Sequence, residues 1–429
     1  MIIYSKTVNK ISGPISINIL KPSKGTFEMF KENGGRAPYV IIFGDQHFTR
    51  EDDCKDCKCE DNWGFEDNEE NCCLPIDSIQ LLREFDAASN SEFPIDFYIE
   101  QVHEPNIGDI DIEDKNVYIK SRDTTGYMAK FLHDYNICYS KSKRGTREYD
   151  KCPTKNIRWH FTDTRFIINK NVDDIKLLRG IEVFFHDIIK PFFSIESLSI
   201  SSTKDKCDDI VKHNRKELMM AFSLFFSGPD FVKHNMSEDS NFLFVKQIKK
   251  QTLPALRDIN WWHSLVIEKN KKAFKNYKDL TWMTDEIYYK VVAYYVDVFK
   301  LILNKEITPS NFEIRRLDLI NSMKEWGADI TKVGGFISVI DIYSFNFGAL
   351  LVDFYILSRM FKKPKDGNPS YLSMIYIGDA HAKNIKETLI ENFNYELVGE
   401  GRNEGKRCIN VDNINFNLLK AKLEYILND

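Results

Sequence analysis

The run Tyr39-Val-Ile-Ile-Phe43 is apolar without interruption, rich in branched side chains, and stops at Gly44. Such a run suits a central strand covered on both faces, as in a parallel sheet. Two further segments have a similar buried character: Ile95-Asp-Phe-Tyr-Ile99, which stops at Glu100, and Leu372-Ser-Met-Ile-Tyr-Ile377, which stops at Gly378. A fourth, Ile157-Arg-Trp-His-Phe-Thr162, alternates apolar and polar positions and ends at Asp163-Thr-Arg165. Shorter β-like runs are predicted at Ile2 to Tyr4 and Ile15 to Leu20, with closing strands at Tyr395 to Val398 and near Arg407 to Val411.

Elsewhere the apolar positions recur at helical spacing. Ile76, Ile79, Leu81, Leu82 and Phe85 predict a helix over Ile76 to Ala87. Residues 104–156 are polar and read as loops with one short helix near Tyr127 to Tyr135. From Val172 to Met360 nearly everything has helical period, in segments Val172 to Phe193, Lys212 to Phe226, Leu256 to Asn276, Asp285 to Asn304, Asn311 to Trp326 and Phe336 to Phe361. Helices over Ala380 to Phe393 and Phe416 to Leu427 follow. Strands, then helices, then strands predict an α/β fold: a mostly parallel central sheet with a large helical insertion. The expected division is 1–165 for the first half of the sheet, with a Cys-rich loop at 52–75, then 166–335 for the helical module and 336–429 for the second half.

Composition leaves that picture standing. With 43% hydrophobic and 29% charged residues the chain of 429 is ordinary globular material, long enough for a full core. A net charge of -5 argues against a nucleic-acid partner, because phosphate contacts need a concentrated basic face. No stretch approaches the roughly 20 apolar residues of a membrane span. The opening Met-Ile-Ile-Tyr-Ser-Lys lacks the marks of a secretory signal, so a cytoplasmic protein with no membrane partner is expected. Abundant Lys, Asn, Ile and Asp match the codon bias of AT-rich genomes, among them those of large DNA viruses.

Five of the nine cysteines, Cys54, Cys57, Cys59, Cys72 and Cys73, crowd into one acidic segment. Four of the five thiolates suffice for a structural zinc, and two disulfides would equally staple a loop with few apolar residues of its own. Both readings stay open. His133, His186, His213, His234 and His263 lack metal-like spacing and are expected in core or surface roles.

In open α/β sheets ligands bind beyond the carboxyl ends of the strands. Four strand ends here present Asp45 with His47, Glu100 with His103, Asp163 with Arg165, and Asp379 with His381. Two of them repeat one pattern, Gly44-Asp-Gln-His47 and Gly378-Asp-Ala-His381. The glycines are expected to let the chain turn sharply after the strand, and the second copy places Asp379 and His381 at a helix N-terminus that attracts anions. The structural alternatives are that Asp379 caps its helix and that Glu100 pairs with Arg165.

This constellation resembles the superfamily that joins erythromycin esterases, ChaN-like haem-binding proteins and TIKI/TraB metalloprotease-like proteins. Their pattern is a first strand followed by G-E-x-H or G-x-x-H, a second ending in Glu, and a late strand with another G-x-x-H around a helical insertion. Gly44 to His47, Phe97-Tyr-Ile-Glu100 and Gly378 to His381 match it, although Asp45 stands where the esterase-like members carry Glu. The resemblance implies a hydrolase acting on a small-molecule or peptide substrate. His47 and His381 would be general bases or ligands of a divalent cleft metal, and Glu100 their carboxylate partner. Arg165 would stabilise an oxyanion or hold an anionic substrate. A calcineurin-like metallophosphatase is a weaker match, because Asp45-Gln-His47 is a D-x-H element but no later GNH[DE] element follows. The rival expectation is a non-catalytic descendant, a structural or interaction protein among virion components.

Overall fold

The computed structural model describes residues 10–12, 14–45, 75–77, 94–100, 157–162, 247–275, 309–327, 349–350, 352–364, 367–403 and 408–410, with isolated positions over 82–89 and 284–306. Expectations on Ile2 to Tyr4, on 104–156, on 166–246, on 328–348 and on Phe416 to Leu427 lie outside these residues. The chain divides into two compact units, one made of 1–163 with 359–429 and the other of 164–358.

The described residues of the first unit carry nine strands: β1 Lys10–Ser12, β2 Ser16–Pro22, β3 Tyr39–Asp45, β4 Pro75–Asp77, β5 Ile95–Ile99, β6 Ile157–Phe161, β7 Leu372–Gly378, β8 Tyr395–Arg402 and β9 Cys408–Asn410. Six of them form one sheet in the order β6-β5-β7-β3-β2-β8. The β5–β6, β5–β7 and β3–β7 pairs are parallel, and β2 runs antiparallel to both β3 and β8. This is a mixed, mostly parallel α/β sheet. Val40, Ile41 and Ile42 on β3 are all 0% exposed, as a strand covered on both faces must be.

The predicted strands at 39–43, 95–99, 157–162 and 372–377 are present, and β8 extends four residues past the expected Val398. A small second sheet, β4-β1-β9, changes one expectation. Ile76, in β4, pairs with Ile11 instead of opening a helix, and among the described residues Leu82 and 85–87 are helical. The pairing partner lies 65 residues upstream, so no local pattern announces it.

Among the described residues of this unit, Lys24–Glu32 forms helix α1 and Asp379–Phe393 forms helix α4, with α2 (Ile259–Lys275) and α3 (Pro309–Glu325) between them in the chain. Helix α1 was not expected from the pattern. It starts because Ser23 caps it, its hydroxyl accepting from the Thr26 N–H at 3.2 Å. Helix α4 leads from β7 to β8, and because β8 runs in the direction of β7, it is a crossover that packs on β3 and β2 on the way. It ends where Asn394 takes the left-handed conformation, φ 51 and ψ 42. There the Thr26 hydroxyl donates to Phe393 O at 2.9 Å and the Ser23 N–H to Asn394 O at 3.2 Å, so the start of α1 closes the end of α4.

In the second unit a 3-10 turn, Pro254–Arg257, precedes α2, Ile259–Lys275, and α3 spans Pro309–Glu325. The helix expected from Leu256 therefore begins three residues late, after a turn opened by Pro254. Trp262 is fully buried, donates its indole N–H to Leu256 O at 2.7 Å, and meets Phe354 edge to face at 5.6 Å. No helix among the described residues is long and apolar enough to cross a membrane.

Candidate functional site

Sheet direction decides which residues share an edge. The parallel strands β3, β5 and β7 end together, putting Asp45, Glu100 and the start of α4 side by side. Strand β8 ends there too, at Arg402, while the reversed β2 begins there, at Ser16. In register, Ser16 faces Gly44 on one side and Arg402 on the other, and Asp45 faces Gly378. Segments as far apart as residues 16 and 402 thus meet at one margin of the sheet.

Glu100 and His381 are 9% and 8% exposed, and they touch: Glu100 Oε1 lies 3.5 Å from His381 Nε2. The other carboxylate oxygen, Oε2, accepts the Gly378 N–H at 2.7 Å. Glu100 is therefore anchored to the last residue of β7 and reaches across to the first turn of α4. Asp45 is buried at the end of β3, 3% exposed.

Asp379 does not cap its helix, as one sequence reading held. Gly378 occupies the N-cap position without a side-chain bond, and the Asp379 carboxylate turns away towards β2 and β8. Its Oδ1 accepts from Ser16 Oγ at 2.6 Å and from Arg402 at 3.1 Å, and its Oδ2 accepts from Arg402 at 2.8 Å. The bidentate guanidinium and the hydroxyl fix the first turn of α4, and with it His381, against the sheet.

The glycines serve space, not sharp turning. Neither Gly44 nor Gly378 has a positive φ, and Gly378 sits at φ -54. A Cβ on Gly44 would fall on Ser16 Oγ and 2.7 Å from Asp379 Oδ1; on Gly378 it would lie 3.3 Å from Glu100 Oε2. At both places a second residue's polar side chain passes close over the backbone.

His47, His103, Asp163, Arg165 and the cluster Cys54, Cys57, Cys59, Cys72 and Cys73 lie outside the described residues, so the zinc and disulfide readings rest on sequence alone. The sites that are described bring together Asp45, Glu100, Asp379 and His381. Among the described residues no group of three His, Cys, Asp or Glu side chains could hold a metal ion. The set that the family resemblance implies for a cleft metal needs His47 as its third member.

Arg402 and Arg359, which carried no site role in the sequence, each meet a polar partner in the structure. Arg402 sets a guanidinium on the Asp379 carboxylate at this edge. Its signal was weak, because it falls in an exposed strand whose glycines, Gly399 and Gly401, blur the pattern. The other is Arg359, in a polar cluster on β5 and β6. There Asp96 accepts from Arg158 Nε at 2.6 Å and Nη2 at 3.0 Å, and its Oδ1 lies 2.9 Å from His160 Nε2. Arg359 Nη2 lies 3.2 Å from His160 Nδ1, and the Tyr98 ring stacks on the imidazole at 4.7 Å. Burial acts to raise the Asp96 carboxyl, but the charges and hydrogen bonds of His160 and Arg158 overcome it and hold it at about 2. Burial pushes the His160 imidazole down, against the pull of Asp96 and with help from Arg359 and Arg158. The alternation Asp96-x-Tyr98 against Arg158-x-His160 was the available signal: four polar or polar-tipped side chains on one face of two paired strands.

Comparison with protein-family models, curated proteins and solved structures finds no match to the chain. What fold and site define is a mixed α/β protein with an imidazole–carboxylate pair at the carboxyl edge of its sheet.

Proposed function

We propose that this edge is the reaction centre of a hydrolase, of the esterase- or peptidase-like kind suggested by the resemblance to erythromycin esterases, ChaN-like and TIKI/TraB proteins. The observation that carries the reading is the contact between Glu100, just past β5, and His381, in the first turn of α4 and 281 positions away in sequence, at the edge where α/β sheets place their ligands. An imidazole beside a carboxylate can serve as a general base, the carboxylate orienting the ring and stabilising the imidazolium that forms when the base takes a proton from water or from a substrate hydroxyl. The 3.5 Å separation is long for a hydrogen bond, and such contacts commonly shorten when substrate fills the site. The first turn of α4 supplies a favourable field for the negative charge that develops on an attacked carbonyl. Asp45 supplies a second carboxylate beside Gly378. A divalent metal held by Glu100, His381 and His47 would supply Lewis acidity.

The test is a panel of activated aryl esters, alkyl esters and short peptides, assayed with the full chain and with His381→Ala and Glu100→Gln. Turnover of at least one member, reduced roughly 10²- to 10⁴-fold by His381→Ala, is expected for a general base. Full activity in a folded His381→Ala variant, or no turnover of any member, would remove the hydrolase reading.

One observation favours a second reading, a non-catalytic protein that keeps the fold for binding or assembly, in a virus particle for instance. Both oxygens of Asp379 and one of Glu100 are engaged in bonds that hold α4 to the sheet, as purely structural carboxylates would be. The same panel separates the two readings.

A further inference from the structure

The cluster around His160 lies at a particular place in the chain. Strand β6 is the last strand before residues 164–358 leave to form the second unit, and Arg359 is the first residue of the chain that returns. The contact between His160 Nδ1 and Arg359 Nη2 therefore joins the departing strand to the point of return, across 199 positions. A guanidinium has five donors and no acceptor, so Nδ1 can take part in this bond only as a bare lone pair. The ring proton must then sit on Nε2, where Asp96 Oδ1 accepts it at 2.9 Å. Both ring nitrogens are thus specified, and the imidazole that satisfies them is neutral.

We infer that His160 is a proton-operated latch on the returning chain: as a neutral imidazole it holds Arg359, and as an imidazolium it releases it. Protonation would set two cations 3.2 Å apart, with a donor facing a donor where a lone pair had accepted. The other partners do not change sides. Among the described residues, the charged and titratable groups the structure sets against the ring are Arg158 from its own strand, Asp96 and Tyr98 from β5, and Arg359 from the helical residues 352–360. Asp96 attracts the imidazolium and keeps it in place, while Arg158, already bidentate on Asp96, adds to the repulsion. Release therefore falls on Arg359. The His160 side chain is 16% exposed, enough for protons to reach it without unfolding. The lowered affinity of the ring for a proton agrees with this direction and puts the release below pH 6.5. The inference is independent of the hydrolase proposal, since none of these groups belongs to the Glu100–His381 edge.

The experiment is a pH titration of the full chain labelled at histidine Cε1, with His160→Gln used to assign the resonance, alongside hydrogen-exchange protection of the amides at 359–362. The latch requires a midpoint below 6.5 for His160 that rises by about one pH unit or more in Arg359→Met, which removes the facing cation. Protection at 359–362, corrected for intrinsic exchange, should fall on the order of tenfold as the pH is lowered through the His160 midpoint, in step with the titration of the ring. Glutamine can donate to Asp96 and accept from Arg359 without titrating, so His160→Gln should keep the protection and lose its pH dependence. A midpoint at or above 6.5, a midpoint indifferent to Arg359→Met, or the same pH dependence in His160→Gln would overturn the inference. If His160→Gln does not fold, the one histidine signal that Arg359→Met displaces identifies the group; displacement of none also overturns it.

Discussion

A Cβ at Gly44 would collide with the hydroxyl of Ser16 and crowd the carboxylate of Asp379, the two atoms whose hydrogen bond crosses over that backbone. Gly44→Ala must therefore push Ser16 aside, at a cost of about 1–3 kcal/mol by analogy with other overpacked sites. Ser16→Ala removes the nearest obstructing atom, so the penalty of Gly44→Ala should be smaller in that background. Denaturant titration of the two single variants and the double one checks this, and simple additivity would show that the conflict lies elsewhere. The exposed ion pair of Arg402 with Asp379 is a different case. Arg402 is 45% exposed, so Arg402→Ala should cost stability no more than about 1 kcal/mol, its larger effect being on how firmly His381 is held.

At the scale of elements, the junction of α1 and α4 is the plainest dependence. The Thr26 hydroxyl, on a residue 4% exposed, donates to Phe393 O in the last turn of α4. Thr26→Val keeps the shape and loses the donor, and about 1–2 kcal/mol of stability should go with it. Asn394→Gly should be neutral or slightly stabilising, whereas Asn394→Val should be destabilising by about 1–2 kcal/mol, because only the valine is strained in the left-handed region. Thermal or denaturant unfolding distinguishes these three. How much of this was legible in the sequence follows from how each element is buried. Strands β3, β5 and β7 were legible because burial on both faces leaves runs that are largely apolar. Helix α1 was not, since its nine residues bury only Thr26 and Phe30 and its start depends on a cap. Strand β4 was misread because Ile76 owes its conformation to a partner in β1. The site was half legible: glycine, acid and histidine at strand ends marked Asp45, Glu100, Asp379 and His381. Ser16 and Arg402 join them only through the antiparallel turn of β2 and the crossover to β8, which local spacing cannot carry.

At the scale of the whole molecule, the Asp96 cluster makes stability depend on pH. The folded Asp96 carboxyl holds its proton only near pH 2, against an ordinary value of 3.8, so the unfolded chain binds the proton first on acidification. Its contribution is complete above about pH 4 and is lost as pH falls through 2, on the order of 2 kcal/mol. His160 works in the same sense. Its affinity for a proton is lower folded than unfolded, so the stability tied to its neutral form is present above 6.5 and declines as pH falls below it. The denaturation midpoint should therefore drop in two stages below neutrality, and His160→Gln should abolish the first of them.

The most direct test of the central claim, that Glu100 and His381 act as one unit at the sheet edge, is a double-mutant cycle on kcat/KM with the best substrate of the ester and peptide panel. If the pair is a single device, Glu100→Gln combined with His381→Ala will be about as impaired as His381→Ala alone. Losses that simply multiply, or activity that survives in the folded double variant, would contradict it.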